Sequence, residues 1–371
     1  MNASGISVPP VDLDDADGLF EADRMGLLRA ASMAGAQVRA IAAALDEGDL
    51  DAIRSDGPPR TVVWVAGRGN AQTAGEMLAA SLAGTVGAPI VVTPEPPPWL
   101  GALDVLIVAG DDPGHPSLVA AAATGVRRGA RVVVVAPFEG PLRDATAGRV
   151  VALPPRLQVP DDFTLVRYLA AGLAVLQTAT TASRVDLAAM ADELDAEAFR
   201  NSAGHQTFTN PAKSLADRMS GRDVVFAGDS AATEVLARHA GTVMLRLAHK
   251  TASAVGLADV LVAIGTGWGR DSGAEASIFH DEELDGPLPQ RTRTFVLTTD
   301  ADRPAVAARL TGFDDVHVVA SNDVPDVVVT GEDQDVPVSA PAPGIGCPEK
   351  QLALLAVRIE MAAVYQRLVR G

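Results

Sequence analysis

Cysteine is almost absent from this 371-residue chain: Cys347 stands alone, so no internal disulfide can close. No Cys-x-x-Cys or mixed Cys/His spacing offers a metal site either. Lysine is nearly as scarce, with only Lys213, Lys250 and Lys350, and aromatic residues make up 4% of the chain. Basic residues are outnumbered, 30 against 47 acidic, for a formal net charge of −17. A field of that sign repels phosphate backbones and anionic lipid, so nucleic-acid and membrane partners are not expected. No uncharged apolar run reaches the roughly 18 residues that span a bilayer. The best candidate, "YLAAGLAVLQTATTAS", is too short and is interrupted by threonines and Gln177. The opening "MNASGISVPPVDLDD" lacks the basic start and apolar core of a signal peptide, and a cytoplasmic location is expected.

What is present is apolar and loop-rich: 48% hydrophobic residues with 34 Gly and 25 Pro, enough length for two buried cores. Helical spacing runs through residues 18 to 46, and "DGPPR" (56–60) then breaks the pattern. "TVVWVAG", "APIVVT", "DVLIVAG", "RVVVVAP" and a short "VVALP" read as strands, with helices over about 71–84 and 116–128. Strands alternating with helices predict a parallel, doubly wound α/β sheet. After two connecting helices the pattern repeats from "GRDVVFAGD". The expected elements are a helix over 231–240, strands "TVMLRLA", "ADVLVAIG", "RTFVLTTD", "VHVVA" and "DVVVTG", a helix over 303–311, and a closing helix "PEKQLALLAVRIEMAAVYQRLV". Two units that each open with a strand ending in Ala-Gly indicate an internal duplication. The expected division is a helical segment over 1–59, a first α/β domain over 60–183 and a second over 184–371.

The loops after the strands carry the functional question. "VAGRGNAQTAGE" places a Gly-x-Gly at a helix start, where backbone amides can meet an anion. As a dinucleotide fingerprint it fails, because Gln72 stands at the third glycine position; Glu95, in "PEPPP", is a poor ribose acid. The corresponding loop after "DVLIVAG" is "GDDPGHPS", which offers carboxylates where an anion site would need donors.

Two tandem units with loops of this kind resemble the sugar isomerase (SIS) fold, and their order resembles the bifunctional phosphoglucose/phosphomannose isomerases. The similarity lies in "MGLLRAASMAGAQVRA", "NPAKSLADRMSGRDVVFAG", "FHDEELDGPLPQRTRTFVLTTDADRPAVAARL" and "AAVYQRLVRG", and spans nearly the whole chain. It implies two flavodoxin-like domains, a hexose phosphate or sugar derivative as ligand, no cofactor, no metal and a homodimer, to which the closing helix would contribute.

The family's functional residues transfer poorly. Its first phosphate loop reads Gly-Met-Gly-Gly-Ser-Gly; here Gly67 and Gly69 match, and Asn70, Ala71 and Gln72 replace the rest. Its second reads Ser-Tyr-Ser-Gly-Asn-Thr; the matching stretch holds Asp111, Asp112 and Gly114, with Ser117 the one hydroxyl nearby. Each lost hydrogen bond to a charged group is worth about 1.5–3 kcal/mol. A carboxylate about 4 Å from a phosphate repels it by roughly 4 kcal/mol at an effective dielectric near 20. Aldose–ketose isomerisation also needs a base, a ring-opening group and a cation for the enediolate. The family's base-bearing segment is matched by "RLAHK", which keeps Lys250 but has Leu247 at the glutamate position. Its ring-opening histidine has no counterpart in "GLADVLVAIG", and Tyr365 replaces a C-terminal lysine of its archaeal members. Arg156, in "PPRLQVP", matches the catalytic arginine.

Substitutes are few. His205, His249 and His280 suit surface or capping roles, and Glu234 suits a solvated helix face. Asp281, Glu282 and Glu283 are consecutive and cannot all face one metal ion. "GTGWGRDSG" reads as a connector, though Trp268 and Arg270 could overlie a ligand. The favoured expectation is a catalytically degenerate member of the isomerase family that acts by binding. The alternatives are an active isomerase rebuilt around Arg156, Lys250 and a histidine, and a purely structural scaffold.

Overall fold

The computed structural model describes residues 11–180, 185–268, 291–313, 315–322 and 347–370. The chain forms two compact units. One is built from Arg29–Phe199 with Cys347–Val357, the other from the described parts of Met1–Leu28, Arg200–Gly346 and Arg358–Gly371. Neither unit is a continuous stretch, so the linear division drawn from the sequence is a statement about the repeat and not about these units.

The first unit holds a five-stranded parallel sheet, β1 (Val62–Ala66), β2 (Ile90–Thr93), β3 (Val105–Ala109), β4 (Arg131–Val135) and β5 (Val151–Ala152), in the order β2-β1-β3-β4-β5. That is the flavodoxin-like order, which reverses between β1 and β3 and leaves a crevice beyond their carboxyl ends. β1 and β3 are buried at every position, as strands covered on both faces require. Helix α3 (Ala34–Asp46) precedes the sheet; α1 (Ala16–Ala22) belongs to the other unit, and α2 (Leu27–Ala31) spans the boundary at Leu28–Arg29. α4 (Gly69–Ser81) and α3 pack on α7 (Leu165–Ala179), while α5 (Pro116–Arg127) packs on α6 (Gly140–Thr146). Trp64 wedges beneath α4 and α7: a Cβ at Gly75 would lie 2.6 Å from its ring, and one at Gly172 2.8 Å. α8 (Leu187–Arg200) follows.

The second unit repeats the plan with four parallel strands in the order β7-β6-β8-β9. These are β6 (Asp223–Gly228), β7 (Ala252–Gly256), β8 (Thr292–Leu297) and β9 (Val316–Val319). α9 (Pro211–Met219) precedes them, and α10 (Ala231–Arg246), α11 (Leu257–Gly265) and α12 (Arg303–Arg309) lie between them. The doubly wound α/β expectation is met in both units.

Two expected strands are helices. "TVMLRLA" continues α10 and "ADVLVAIG" is α11, so the strand between them is Ala252–Gly256. The reason is periodicity: Ala232, Val235, Leu236, His239, Ala240, Val243 and Met244 are all buried, one unbroken 3.6-residue stripe that Gly241 does not interrupt. Leu257, Val260 and Ile264 do the same in α11, leaving Val262 exposed. "DVVVTG" and "FHDEELDG" lie outside the described residues, as do His280 and Arg270. The closing helix, α13 (Pro348–Leu368), buries Leu352, Leu355, Val357, Ile359 and Val364 completely within the chain. Among the described residues no helix is long and apolar enough to cross a membrane.

Candidate functional site

At the crevice of the first unit, β1 delivers Gly67, an extended Arg68, and Gly69, whose φ of +66° opens α4. Asn70 and Ala71 lie in the first turn of that helix. The Asn70 amide is already engaged, donating to the Asp161 carbonyl at 2.7 Å and reaching the Thr164 hydroxyl at 3.4 Å. Ala71 is buried, and its carbonyl accepts the Trp64 indole N–H at 2.9 Å. Across the crevice, Asp111, Asp112 and Gly114 are exposed in the turn before α5, and the Asp112 carboxylate accepts the Gly114 N–H at 2.8 Å. His115, at the N-cap of α5, lays its ring against Gly67: a Cβ there would stand 3.4 Å from it. Ser117 is half-buried in the first turn of α5. The expected loops therefore do meet, and what joins them is a histidine side chain.

The loop is also electronegative. Burial pushes the Tyr168 hydroxyl up to about 12; Arg167 pulls the other way, while Asp111 and Asp161 add to the rise. A phosphate entering here would face two exposed carboxylates and an occupied asparagine.

Arg156 is not brought to these loops by its hydrogen bonds. Its guanidinium is gripped by Glu47 at 2.9 and 2.6 Å and by Asp49 at 3.0 Å, side chains from the end of α3 and just beyond it. The hydrogen bond to Arg156 holds the Glu47 carboxyl below its ordinary value, and the same pair raises Arg156. A cation shared by two carboxylates has little field left for an enediolate.

Lys250 belongs to the second unit and precedes β7, so it sits at the amino edge of that sheet, opposite the edge where such folds bind ligands. The expectation that it follows a strand is thereby corrected, for the same reason that residues 241–246 are helical. Its ammonium donates to Gln366, and burial lowers its pKa, with Arg370 adding to the effect. Leu247 is buried beside it, and His249 is exposed in a left-handed turn, φ +53°. His205 pairs with Ser202 at 2.9 Å. Tyr365 is fully buried and donates to the Asn201 carbonyl at 2.6 Å.

At the carboxyl edge of the second sheet, Asp229 accepts the hydroxyls of Thr233 at 2.8 Å and Thr298 at 2.7 Å, linking the ends of β6 and β8. Ser230 and Thr233 form a reciprocal capping box on α10. Glu234, expected on a solvated face, is half-buried with its carboxylate over Gly256, where a Cβ would come within 2.7 Å. Trp268 is partly exposed. Among the described residues no three His, Cys, Asp or Glu side chains group so as to hold a metal ion.

Arg167 lies in no motif, and Gln37 lies within "MGLLRAASMAGAQVRA" with nothing there to mark it as a site residue. In the structure both are buried and line one cavity with Arg156 and Asp49. Only their burial, which a single sequence does not display at polar positions, marks them.

No family model matches the sequence, and no curated protein matches it. Solved structures do match by fold. Tagatose-6-phosphate ketose/aldose isomerase from Escherichia coli superposes with a TM-score of 0.57 at 15% identity, covering 98% of this chain and 95% of that one. The C-terminal domain of glucosamine-fructose-6-phosphate aminotransferase from Francisella tularensis does so with a TM-score of 0.55 at 10% identity, covering 93% and 95%. The chain therefore has the tandem SIS fold, and the resemblance to SIS sugar isomerases holds over almost its entire length.

Proposed function

We propose that this protein binds a sugar or sugar derivative without isomerising it, as a sensor or as a partner of other proteins of carbohydrate metabolism. The observation that carries this reading is the state of Arg156: the one residue matching the family's catalytic set is neutralised by Glu47 and Asp49. The Asp111–Asp112 turn and the position of Lys250 at the amino edge of its sheet support it. A purely structural role is the second reading, favoured by the His115 ring packed on Gly67. An active isomerase rebuilt around Arg156, Lys250 and a histidine finds less support, because Arg156 and Lys250 have other partners. The protein is proposed to work in the cytoplasm as a homodimer; light scattering at two concentrations that returned a monomer at both would remove the dimer.

The test of the main reading is proton NMR of fructose 6-phosphate and of mannose 6-phosphate with the protein in heavy water. The expected result is no deuterium at the carbons beside the carbonyl, even at high protein concentration; line broadening without exchange would mark a sensor. Exchange above background that disappears in Arg156→Ala would establish an isomerase. Neither exchange nor broadening, extended to unphosphorylated sugars, would leave the structural role.

A further inference from the structure

The first unit contains a cavity of about 10 Å³ lined by Gln37, Ile41, Asp49, Leu153, Arg156 and Arg167, among others. Arg167 is 6% exposed and Gln37 3%. The Gln37 amide nitrogen donates to the Phe163 carbonyl at 2.9 Å, which fixes the side chain and turns its Oε1 toward no protein donor among the described residues. Arg167 Nε and Nη1 likewise find no acceptor there; the guanidinium carbon lies 4.2 Å from the centre of the Tyr168 ring. Buried polar groups are nearly always hydrogen-bonded, and a buried guanidinium with two of its three nitrogens unpartnered is costly. The cavity therefore presents, in one place, donors and an acceptor that the protein does not satisfy.

The donor set decides the ligand. An anion would suit Arg167 but would meet the lone pairs of Gln37 Oε1. Arg156 is already paired with Glu47 and Asp49 and offers an anion nothing more. A hydroxyl satisfies both sides, accepting from Arg167 and donating to Gln37. About 10 Å³ holds one oxygen-sized group. A groove of about 560 Å³, lined by Ala52, Phe138 and Val150, shares Asp49, Pro154 and Arg156 with the cavity. That volume suits a small ligand. We propose that Gln37 and Arg167 form the anchoring subsite for one hydroxyl of a neutral polyol or unphosphorylated sugar, whose remainder lies in the groove beyond the Arg156–Asp49 pair. The choice of a sugar as probe rests on the functional reading above; the site itself does not.

The experiment follows the methyl resonances of Ile41, Leu153 and Leu157 while the full-length protein is titrated separately with glucose, glycerol, inorganic phosphate and chloride. Saturable shifts are expected with glucose and glycerol and none with the anions, and Gln37→Leu should weaken glucose binding roughly fivefold, as loss of one neutral hydrogen bond implies. Shifts with phosphate or chloride while the polyols are silent would overturn the proposal in favour of an anion site. Silence with all four would also overturn it, leaving the cavity to water. The wild-type titrations decide the matter even if the Gln37 variant does not fold. A failure here would leave the deuterium experiment untouched, since that one reads catalysis and not the location of binding.

Discussion

The two sheets end in crevices of identical topology that are closed by different means. In the second unit the edge is knitted: Asp229 ties β6 to β8 through Thr298, and Gly228 lies so close to α10 that a Cβ would stand 2.2 Å from the Glu234 nitrogen. In the first unit a Cβ at Gly67 would first meet the His115 imidazole, at 3.4 Å, and the facing turn is exposed. One edge is thus part of the fold's stability, whereas the other keeps an open turn with two exposed carboxylates. A topological switch point provides a place for a ligand, and the side chains at the strand ends decide whether it is one.

The sharpest way to break this comparison is to add one methyl group to each edge. Gly228→Ala should cost about 3 kcal/mol, since backbone and not a flexible side chain would have to move. Gly67→Ala should stay within about 1 kcal/mol of wild type, its φ being unremarkable and its neighbour a single ring. Urea unfolding followed separately in each unit by an environment-sensitive probe would check both, and equal losses would mean that the first edge is as tightly built as the second. Removing a carboxylate from each comes next. Asp229→Ala removes the bonds from both the Thr233 and the buried Thr298 hydroxyls and should cost about 2 kcal/mol, against about 0.5 for Asp112→Ala, which loses one exposed bond to Gly114. The smallest effect concerns pH. Arg156 holds Glu47 below its ordinary value of 4.5, so the stability this pair supplies is complete above that pH and drains away as the pH falls below it. Glu47→Gln should flatten the acid limb slightly in a pH series of thermal unfolding, and an unchanged limb would mean the ion pair is idle.

Much of the fold was legible in the sequence, for reasons visible at particular residues. Runs such as Val62–Ala66 and Val105–Ala109 are long, apolar and β-branched, so their burial in a parallel sheet follows directly. The failure between 241 and 265 is equally physical: β-branched Thr242 and Val243 and the apolar "ADVLVAIG" imitate strands locally, and only the stripe running from Ala232 through Met244 reveals the helix. That slip carried Lys250 to the wrong edge of the sheet. The exposed carboxylates of Asp111 and Asp112 in the turn after β3 were legible too. The contacts of the site were not, because the pairing of Arg156 with Glu47, the ring of His115 on Gly67 and the meeting of Gln37 with Arg167 join residues scattered along the chain.

The most direct measurement is a titration of isotope-labelled protein with glucose 6-phosphate, following the amide resonances of Gly67, Gly69, Asn70 and Gly114. A dismantled phosphate crevice predicts that these four amides stay in place at every concentration. Saturable shifts confined to them would contradict it and return the crevice to the list of working phosphate sites.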